Sequence, residues 1–330
     1  MKHSFLLLAF LVACGGTDSA TIPDGSDDTG SGNDASTGND GTTSNDGTTT
    51  SDGTTTTDGT TIDTGTTFDP AKVNGLVLWL EADVSASIVQ SNQRITQWKD
   101  QTSHHNDANG STQTTTQGRN PTVKKGQINS LDAVHFDKGQ PNAPANMLGI
   151  PENTDKSLQW GTGDFFVAIV GEFDNDPKDS DGVQFQVGNF FSKNYSPSFN
   201  SYTGVALYAN LPLSNNTVST GMLFMTSNQL NAFAYTATAY NTNKPHIFGI
   251  RRQGNTIDLY VDGTSVNSAT ATTNVDVSNA NIPVRIGADG DANLLRLDGD
   301  IGEIYAVAGV LSSSDQTSIQ GYLKKKWATP

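Results

Sequence analysis

The stretch Thr256-Ile-Asp-Leu-Tyr-Val-Asp-Gly263 decides the fold class. Ile257, Leu259 and Val261 fall on one side of an extended chain, and Asp258, Tyr260 and Asp262 on the other. That is the two-residue period of a half-buried strand. Asp262-Gly263 supplies a tight turn into Ser265–Ala269, the short-range signal of a β-hairpin. Outward from it, from Phe68 onward, short apolar runs alternate with Gly, Asn, Asp and Pro turns. Strands are expected over Leu76–Ala82, Arg94–Lys99, Ala133–Asp137, Phe165–Phe173, Val183–Phe191, Val205–Ala209, Gly221–Thr226, Asn231–Thr236, His246–Arg252, Val284–Ala288 and Gly302–Ala308. No helical patterns of about 10–15 residues separate them, which argues against a doubly wound parallel sheet. The expectation is all-β: a two-sheet antiparallel sandwich.

One helix closes the chain. Ser312 can cap it, with Asp315 three residues on at the positive end of the dipole. Ile319, Tyr322, Leu323 and Trp327 form its apolar stripe, and Lys324, Lys325 and Lys326 lie in its last turn, where positive charge is favoured. Trp79, Trp98 and Trp327 sit in strand or helix patterns and are expected in the core.

The chain has 330 residues, 34 Asp+Glu against 19 Lys+Arg, and a formal net charge of -15. A chain so acidic lacks the clustered bases that phosphate contacts need, which excludes nucleic acid as a partner. Most of the charge is local. Residues 15–69 hold 11 Asp and no Lys, Arg or Glu, leaving 23 acids against 18 bases in 70–330. The segment 15–68 is almost wholly Gly, Thr, Asp, Ser and Asn, and cannot bury enough surface to offset its ordering entropy. Asp28, Asp34, Asp40, Asp46, Asp52 and Asp58 recur every six residues. It reads as a disordered, self-repelling linker.

Before it, Lys2 and His3 precede the apolar run Phe5–Val12. Eight residues fall short of the roughly 20 that a spanning helix needs but suit a signal-peptide core. The run ends in Leu11-Val12-Ala13-Cys14, which resembles the lipobox of bacterial lipoproteins, and Cys14 is the chain's one cysteine. The resemblance implies a signal peptide over 1–14, lipidation of Cys14, and a membrane-anchored protein of the bacterial cell envelope. Gly15 follows in place of Asp, so the outer membrane or cell surface is expected. Two acyl chains give the double anchor that one cannot.

Three stretches of the 69–330 domain together resemble the laminin-G-like group of the concanavalin A-like lectin/glucanase superfamily. They are Gly75-Leu-Val-Leu-Trp79-Leu-Glu-Ala-Asp83 with Ile95-Thr-Gln-Trp98-Lys-Asp100-Gln-Thr-Ser103 and Asn106-Asp107-Ala108; the Leu259-Tyr-Val-Asp-Gly263 hairpin; and Ile286-Gly-Ala-Asp289 followed by Leu297-Asp-Gly-Asp-Ile-Gly-Glu-Ile304 and the closing helix. The resemblance implies a concanavalin A-like jelly roll. Members are often carbohydrate-binding or adhesion modules, frequently with bound calcium, and some relatives are glycan hydrolases.

Retaining glucanases need two carboxyl groups about 5–5.5 Å apart. Glu81-Ala-Asp83 begins such an alternation but Ala86 stands at the next acidic place, and Glu172-Phe-Asp174-Asn-Asp176 runs into Pro177. No Ser/His/Asp order, HExxH or phosphate loop appears, and a non-catalytic protein is expected. Calcium takes six to eight oxygens from flexible loops. The candidate ligands are Asp174, Asp176, Asp179 and Asp181 in one stretch, and Asp289, Asp291, Asp298 and Asp300 in another. Sugar sites pair an aromatic face with amide and carboxylate groups. Trp160, Tyr195, Tyr202 and Tyr240, in polar turn-rich context, are the candidate platforms. The expected partner is an extracellular or envelope glycan, with a protein-binding adhesion domain or a glycan hydrolase on the same fold as the alternatives.

Overall fold

Phe165–Phe173 forms a nine-residue strand buried at every position. An antiparallel strand reads this way when both faces are covered, and here they are. Phe165, Val167, Ile169 and Phe173 point into one hydrophobic cluster, while Phe166, Ala168 and Val170 point into a second. The computed structural model describes residues 68–330 apart from 111–119, 138–145, 174–187, 199–200, 210, 213–217, 220–221, 227–229, 233, 235–237, 239, 241–242, 274–275, 279–281 and 289–295.

In chain order the strands are β1 (Leu76–Glu81), β2 (Ile88–Ser91), β3 (Arg94–Trp98), β4 (Ala108–Gly110), β5 (Thr122–Ile128), β6 (Leu131–Phe136), β7 (Leu148–Ile150), β8 (Phe165–Phe173), β9 (Gly188–Ser198), β10 (Ser201–Ala209), β11 (Leu211–Pro212), β12 (Val218–Ser219), β13 (Met222–Thr226), β14 (Leu230–Ala232), β15 (His246–Gln253), β16 (Thr256–Val261), β17 (Thr264–Thr270), β18 (Val284–Ile286) and β19 (Gly299–Ala308). The helix α1 (Ser313–Trp327) follows. An eight-stranded sheet runs β17-β16-β15-β8-β19-β6-β5, with β1 also on β19; a nine-stranded sheet runs β14-β13-β10-β9-β18-β7-β4-β3-β2. The chain switches sheets repeatedly, and every pairing is antiparallel. The result is the expected all-β, two-sheet antiparallel sandwich with one C-terminal helix.

The main core lies between the sheets, where Trp98, Phe190, Leu207 and Ile286 of the nine-stranded sheet meet Val167, Ile169, Phe248 and Leu259 of the eight-stranded one. The second cluster lies on the far face of the eight-stranded sheet, where Phe166, Val170, Ile247 and Tyr305 receive Ile319, Leu323 and Trp327 of α1. Ser312 caps α1 by accepting from the Asp315 amide. Trp98 and Trp327 are fully buried and Trp79 is half-buried. Phe68 packs on Tyr322 of α1.

The helix is clasped by a carboxylate. Glu303 is fully buried, accepts from Trp79 Nε1 (2.7 Å) on one oxygen and from Trp327 Nε1 (2.7 Å) and Lys326 Nζ (2.8 Å) on the other. Lys326 also bonds Glu81, the cross-strand neighbour of Glu303. The last of the three helix-end lysines therefore does more than complement the dipole: it neutralises a carboxyl pair beneath the helix.

Candidate functional site

The register of the nine-stranded sheet lines up one residue per strand. Val89 pairs with Gln97, Gln97 with Asn109, Asn109 with Gly149, Gly149 with Arg285, Arg285 with Ser192, Ser192 with Ala206, and Ala206 with Phe224. The residues beside this row, Trp98, Ala108, Leu148, Ile286, Phe191 and Leu207, all point into the core. Since successive side chains alternate between faces, the row lies on the outward face. Gln97, Asn109, Gly149 and Arg285 are half-buried, and Val89 is exposed. Ser192 and Ala206 are fully buried, so the open part of the face is its β2–β18 half.

The row is held by its own hydrogen bonds. Gln97 Nε2 is shared between Asp107 Oδ2 (3.1 Å) and Asn109 Oδ1 (3.2 Å), and Asn109 Nδ2 donates to the Asp107 carbonyl (3.0 Å). Asp107 Oδ1 in turn accepts the Asp100 amide (2.9 Å). Arg285 Nη1 lies 3.7 Å from Met147 Sδ. Gly149 leaves a gap at the centre: a Cβ there would meet only the Val284 carbonyl oxygen, at 3.9 Å. Strands lie about 4.8 Å apart, so the four positions from Gln97 to Arg285 span roughly 14 Å. Chemically this is a flat bed of amide, carboxylate and guanidinium groups, suited to hydroxyl-bearing ligands.

Asp100, in the Trp98–Asn106 motif, organises the turn beside this bed. It is buried and accepts from Trp79 N (2.9 Å), Thr102 N (3.1 Å), Thr102 Oγ1 (2.6 Å) and Asn106 N (2.9 Å). Asn106 Nδ2 then donates to the Val77 carbonyl and to Ser157 Oγ. His104 Nδ1, in the same turn, bonds Asp155 at 2.6 Å.

The expected site residues whose side chains are described, Trp160, Tyr240, Asp298 and Asp300, lie outside this row. Trp160 is not an exposed platform. It is 7% exposed and stacks on Phe165 at 4.3 Å, because Arg252 donates to the Gly161 and Gly163 carbonyls and draws that loop onto the core. Tyr240 is half-buried, edge-on to His246 and Phe248, and burial pushes its phenol up from the usual range. Tyr195 lies in β9 and Tyr202 in β10, with side chains outside those described. Cys14 and the linker to Thr67, together with Asp174, Asp176, Asp179, Asp181, Asp289 and Asp291, lie outside the described residues.

Asp298 is half-buried and Asp300 fully buried. Asp300 Oδ1 bonds His135 Nδ1 (3.0 Å), and its Oδ2 lies 3.6 Å from Lys124 Nζ. Pairing of Gly299 with Phe173 puts the start of β19 beside the end of β8. Among the described residues no group of three or more His, Cys, Asp or Glu side chains has the arrangement to hold a metal ion. Glu172 faces Asp300 across β8 and β19, not its own sequence neighbours.

The outward row was missed from sequence because isolated amides and one arginine, scattered over several strands, carry no spacing signal. The usable hint is a polar residue sandwiched between core residues, as Arg285 is between Val284 and Ile286.

No protein-family model matches the chain, and no curated protein matches it. Among solved structures it is similar to the botulinum neurotoxin serotype D binding domain, at 13% identity over 79% of this chain and 56% of that one, with a TM-score of 0.50. It is similar at 12% identity to the binding domain of Paraclostridial Mosquitocidal Protein 1, over 78% of this chain and 55% of that one (TM-score 0.49). Domain 4 of AbnA, a GH43 extracellular arabinanase from Geobacillus stearothermophilus solved with arabinotriose, matches at 12% identity over 76% of this chain and all of its own (TM-score 0.47). The chain spans about half the length of the two toxin chains. At these identities the likeness is one of fold.

Proposed function

We propose that the domain binds glycan, without catalysis, on the outward face of its nine-stranded sheet. The observation that carries this is the Gln97–Asn109–Gly149–Arg285 row: half-exposed hydrogen-bonding groups in strand register around a residue with no side chain. An extended oligosaccharide laid across the strands meets the polar groups of β3, β4 and β18, with room for a sugar ring over Gly149 of β7. The resemblance of the Trp79, Trp98 and Leu297–Ile304 motifs to the laminin-G-like group supports the same reading. A non-catalytic role is supported by the carboxyl pairs. Glu81 and Glu303 are bridged by Lys326 under the helix, and Glu172 and Asp300 are buried. The lipobox-like Leu11–Cys14 and the acidic linker support display from a lipid anchor at the outer membrane or cell surface. Calcium is proposed as a ligand of the Asp174–Asp181 and Asp289–Asp300 stretches on their composition alone.

The test is a glycan-array screen of the chain, with calcium and again with EDTA, repeated with Gly149→Leu and Gln97→Ala. Gly149→Leu fills the row with its Cβ at ordinary contact distance from the Val284 carbonyl, and should abolish binding while the melting curve stays in place. Undiminished binding by both variants would remove the site from this face, and a blank array from a folded chain would point to a protein partner. Loss in EDTA alone would make recognition calcium-dependent.

A further inference from the structure

The outward face of β16 carries an aromatic that the fold leaves unused. Leu259 and Val261 point into the main core, so Tyr260 between them points away from it. Tyr260 is half-buried and belongs to neither hydrophobic cluster. Among the described residues its ring meets no other ring or cation, and its hydroxyl makes no hydrogen bond. The other tyrosines with described side chains are committed: Tyr240 against His246 and Phe248, Tyr305 to the Pro70 carbonyl, and Tyr322 against Phe68. The cross-strand neighbours of Tyr260 leave it room. Gly249 on β15 has no side chain, and Ser265 on β17 is small and exposed. Tyr260 also lies at the foot of a step. The helix α1 packs over β8, β15 and β19, and β16 and β17 extend beyond it. The wall of the step is polar. Gln320 of α1 is 7% exposed, makes no hydrogen bond among the described residues, and holds its Oε1 over the hairpin turn, 3.5 Å from where a Cβ of Gly263 would lie. In the next row on the same face, Arg251 is tied to α1 through Gln316 Oε1 (2.7 Å). Asp258 lies opposite Arg251 in register, is half-buried, and forms no ion pair among the described residues.

We infer that this step is a second carbohydrate site, in which a sugar ring stacks on Tyr260 and its hydroxyls bond Gln320, Asp258 and Arg251. The negative face of an aromatic ring takes the C–H face of a sugar, and each sugar hydroxyl both donates and accepts. Asp258 accepts, Arg251 donates and the Gln320 amide does both, so hydroxyls of either orientation find partners. A nearly buried amide left unpaired is costly, and a bound hydroxyl removes that cost. Size sets the occupant. Three strands about 4.8 Å apart give a floor roughly 10 Å wide from β15 to β17, bounded on one side by the helix. That admits a sugar ring or a pair of them. It is far below the roughly 800 Å² that each protein buries in a standard interface. The step lies on the opposite side of the sandwich from the Gln97–Arg285 row and does not rest on the reading of that face.

The full chain is screened on a glycan array, and each oligosaccharide that binds is titrated by NMR against chain with isotope-labelled tyrosine rings. Tyr260 is assigned as the ring signal missing from Tyr260→Ser. At least one glycan should shift that signal and should still do so in Gly149→Leu. Its affinity should fall on the order of tenfold or more in Tyr260→Ser and stay within about twofold in Tyr260→Phe, which keeps the ring. Gln320→Ala should weaken the same glycan, and the thermal melt of both Tyr260 variants should match that of the unmodified chain. A glycan that Gly149→Leu loses and that never shifts Tyr260 belongs to the other face and counts against this one. An array with no ligand, no glycan that moves the Tyr260 signal, or equal affinity in Tyr260→Ser would each overturn the inference.

Discussion

Lys326→Met strips the cation from a carboxylate that water cannot reach. Glu303 is 0% exposed, and among the described residues Lys326 supplies the positive charge bonded to it. Two indole N–H donors remain after the substitution, but Glu81, directly across the strand pair, then faces Glu303 with nothing between them. Removing one partner of a buried pair costs about 3–5 kcal/mol, against about 0–1 kcal/mol for an exposed one. For a domain of this size each kcal/mol moves the midpoint by about 2–4 °C, so the fall should be roughly 6–20 °C. Urea unfolding by linear extrapolation gives the free energy directly. The pH dependence has a definite sign. Burial pushes the Glu303 carboxyl above its ordinary range, and Lys326 pulls it back. A group raised in the folded state contributes stability below its unfolded value and loses it as pH rises through the folded one. The deficit of Lys326→Met relative to the unmodified chain should therefore shrink on acidification, as Glu303 takes up a proton. In a double-mutant cycle with Glu303→Gln the losses should fall short of additivity by about 1 kcal/mol or more. A loss under about 1 kcal/mol that is flat with pH would place the pair among exposed ion pairs and refute the reasoning.

Gly302→Ala tests the same helix seat from below, because a Cβ there would lie 2.6 Å from the Trp327 ring; the expected cost is about 1–3 kcal/mol by denaturant unfolding. Trp160→Leu should lower stability by about 3 kcal/mol, a loss of stacked core volume, and leave glycan binding unchanged at temperatures where the domain is folded; an isothermal titration that shows weakened binding would return Trp160 to the site. Hydrogen bonds from Ser278 and the nearby Arg252 hold the Asp276 carboxyl below its ordinary range. Its contribution is thus present above the ordinary carboxylate range and lost as pH falls through the lowered value, and Ser278→Ala should move the Asp276 midpoint upward in a carboxyl NMR titration.

Two strands, one with both faces covered and one with a clean alternation, were legible to the residue. Phe165–Phe173 and Thr256–Val261 fall where the pattern places them, since burial on one or both faces writes itself into side-chain chemistry. Strands β2, β4, β5 and β7 were not seen. Three are three or four residues long, and β5 (Thr-Val-Lys-Lys-Gly-Gln-Ile) is an edge whose guarding lysines and glycine break the alternation. Residues 183–187 of the expected strand Val183–Phe191 lie outside the described residues; the strand present is Gly188–Ser198, in which Lys193 is buried against Glu152 and the Ile282 carbonyl. A lysine in a strand reads as an exposed position, and only its partners, 41 and 89 residues away, explain why it is not. Burial lowers the Lys193 ammonium accordingly.

The site was less legible than the fold for a related reason. Acid density draws attention along the sequence, yet carboxylates with described partners serve the architecture: Asp100 ties a turn, Asp155, Asp262 and Asp300 each hold a histidine ring, and Glu303 holds a helix. What brings Gln97, Asn109, Gly149 and Arg285 together is register over residues 97 to 285, and register is a property of pairs of strands rather than of any one of them. The layer order then restricts where recognition can occur. The outer face of the eight-stranded sheet lies under α1 around Glu303, and its remaining carboxyl pair is buried. The inner faces of both sheets make the core. Among the described residues, that leaves the outward face of the nine-stranded sheet, together with the strip of the eight-stranded sheet beside α1, as a surface where a partner can be met. The half-exposed polar row lies on that face, and Tyr260 lies on that strip.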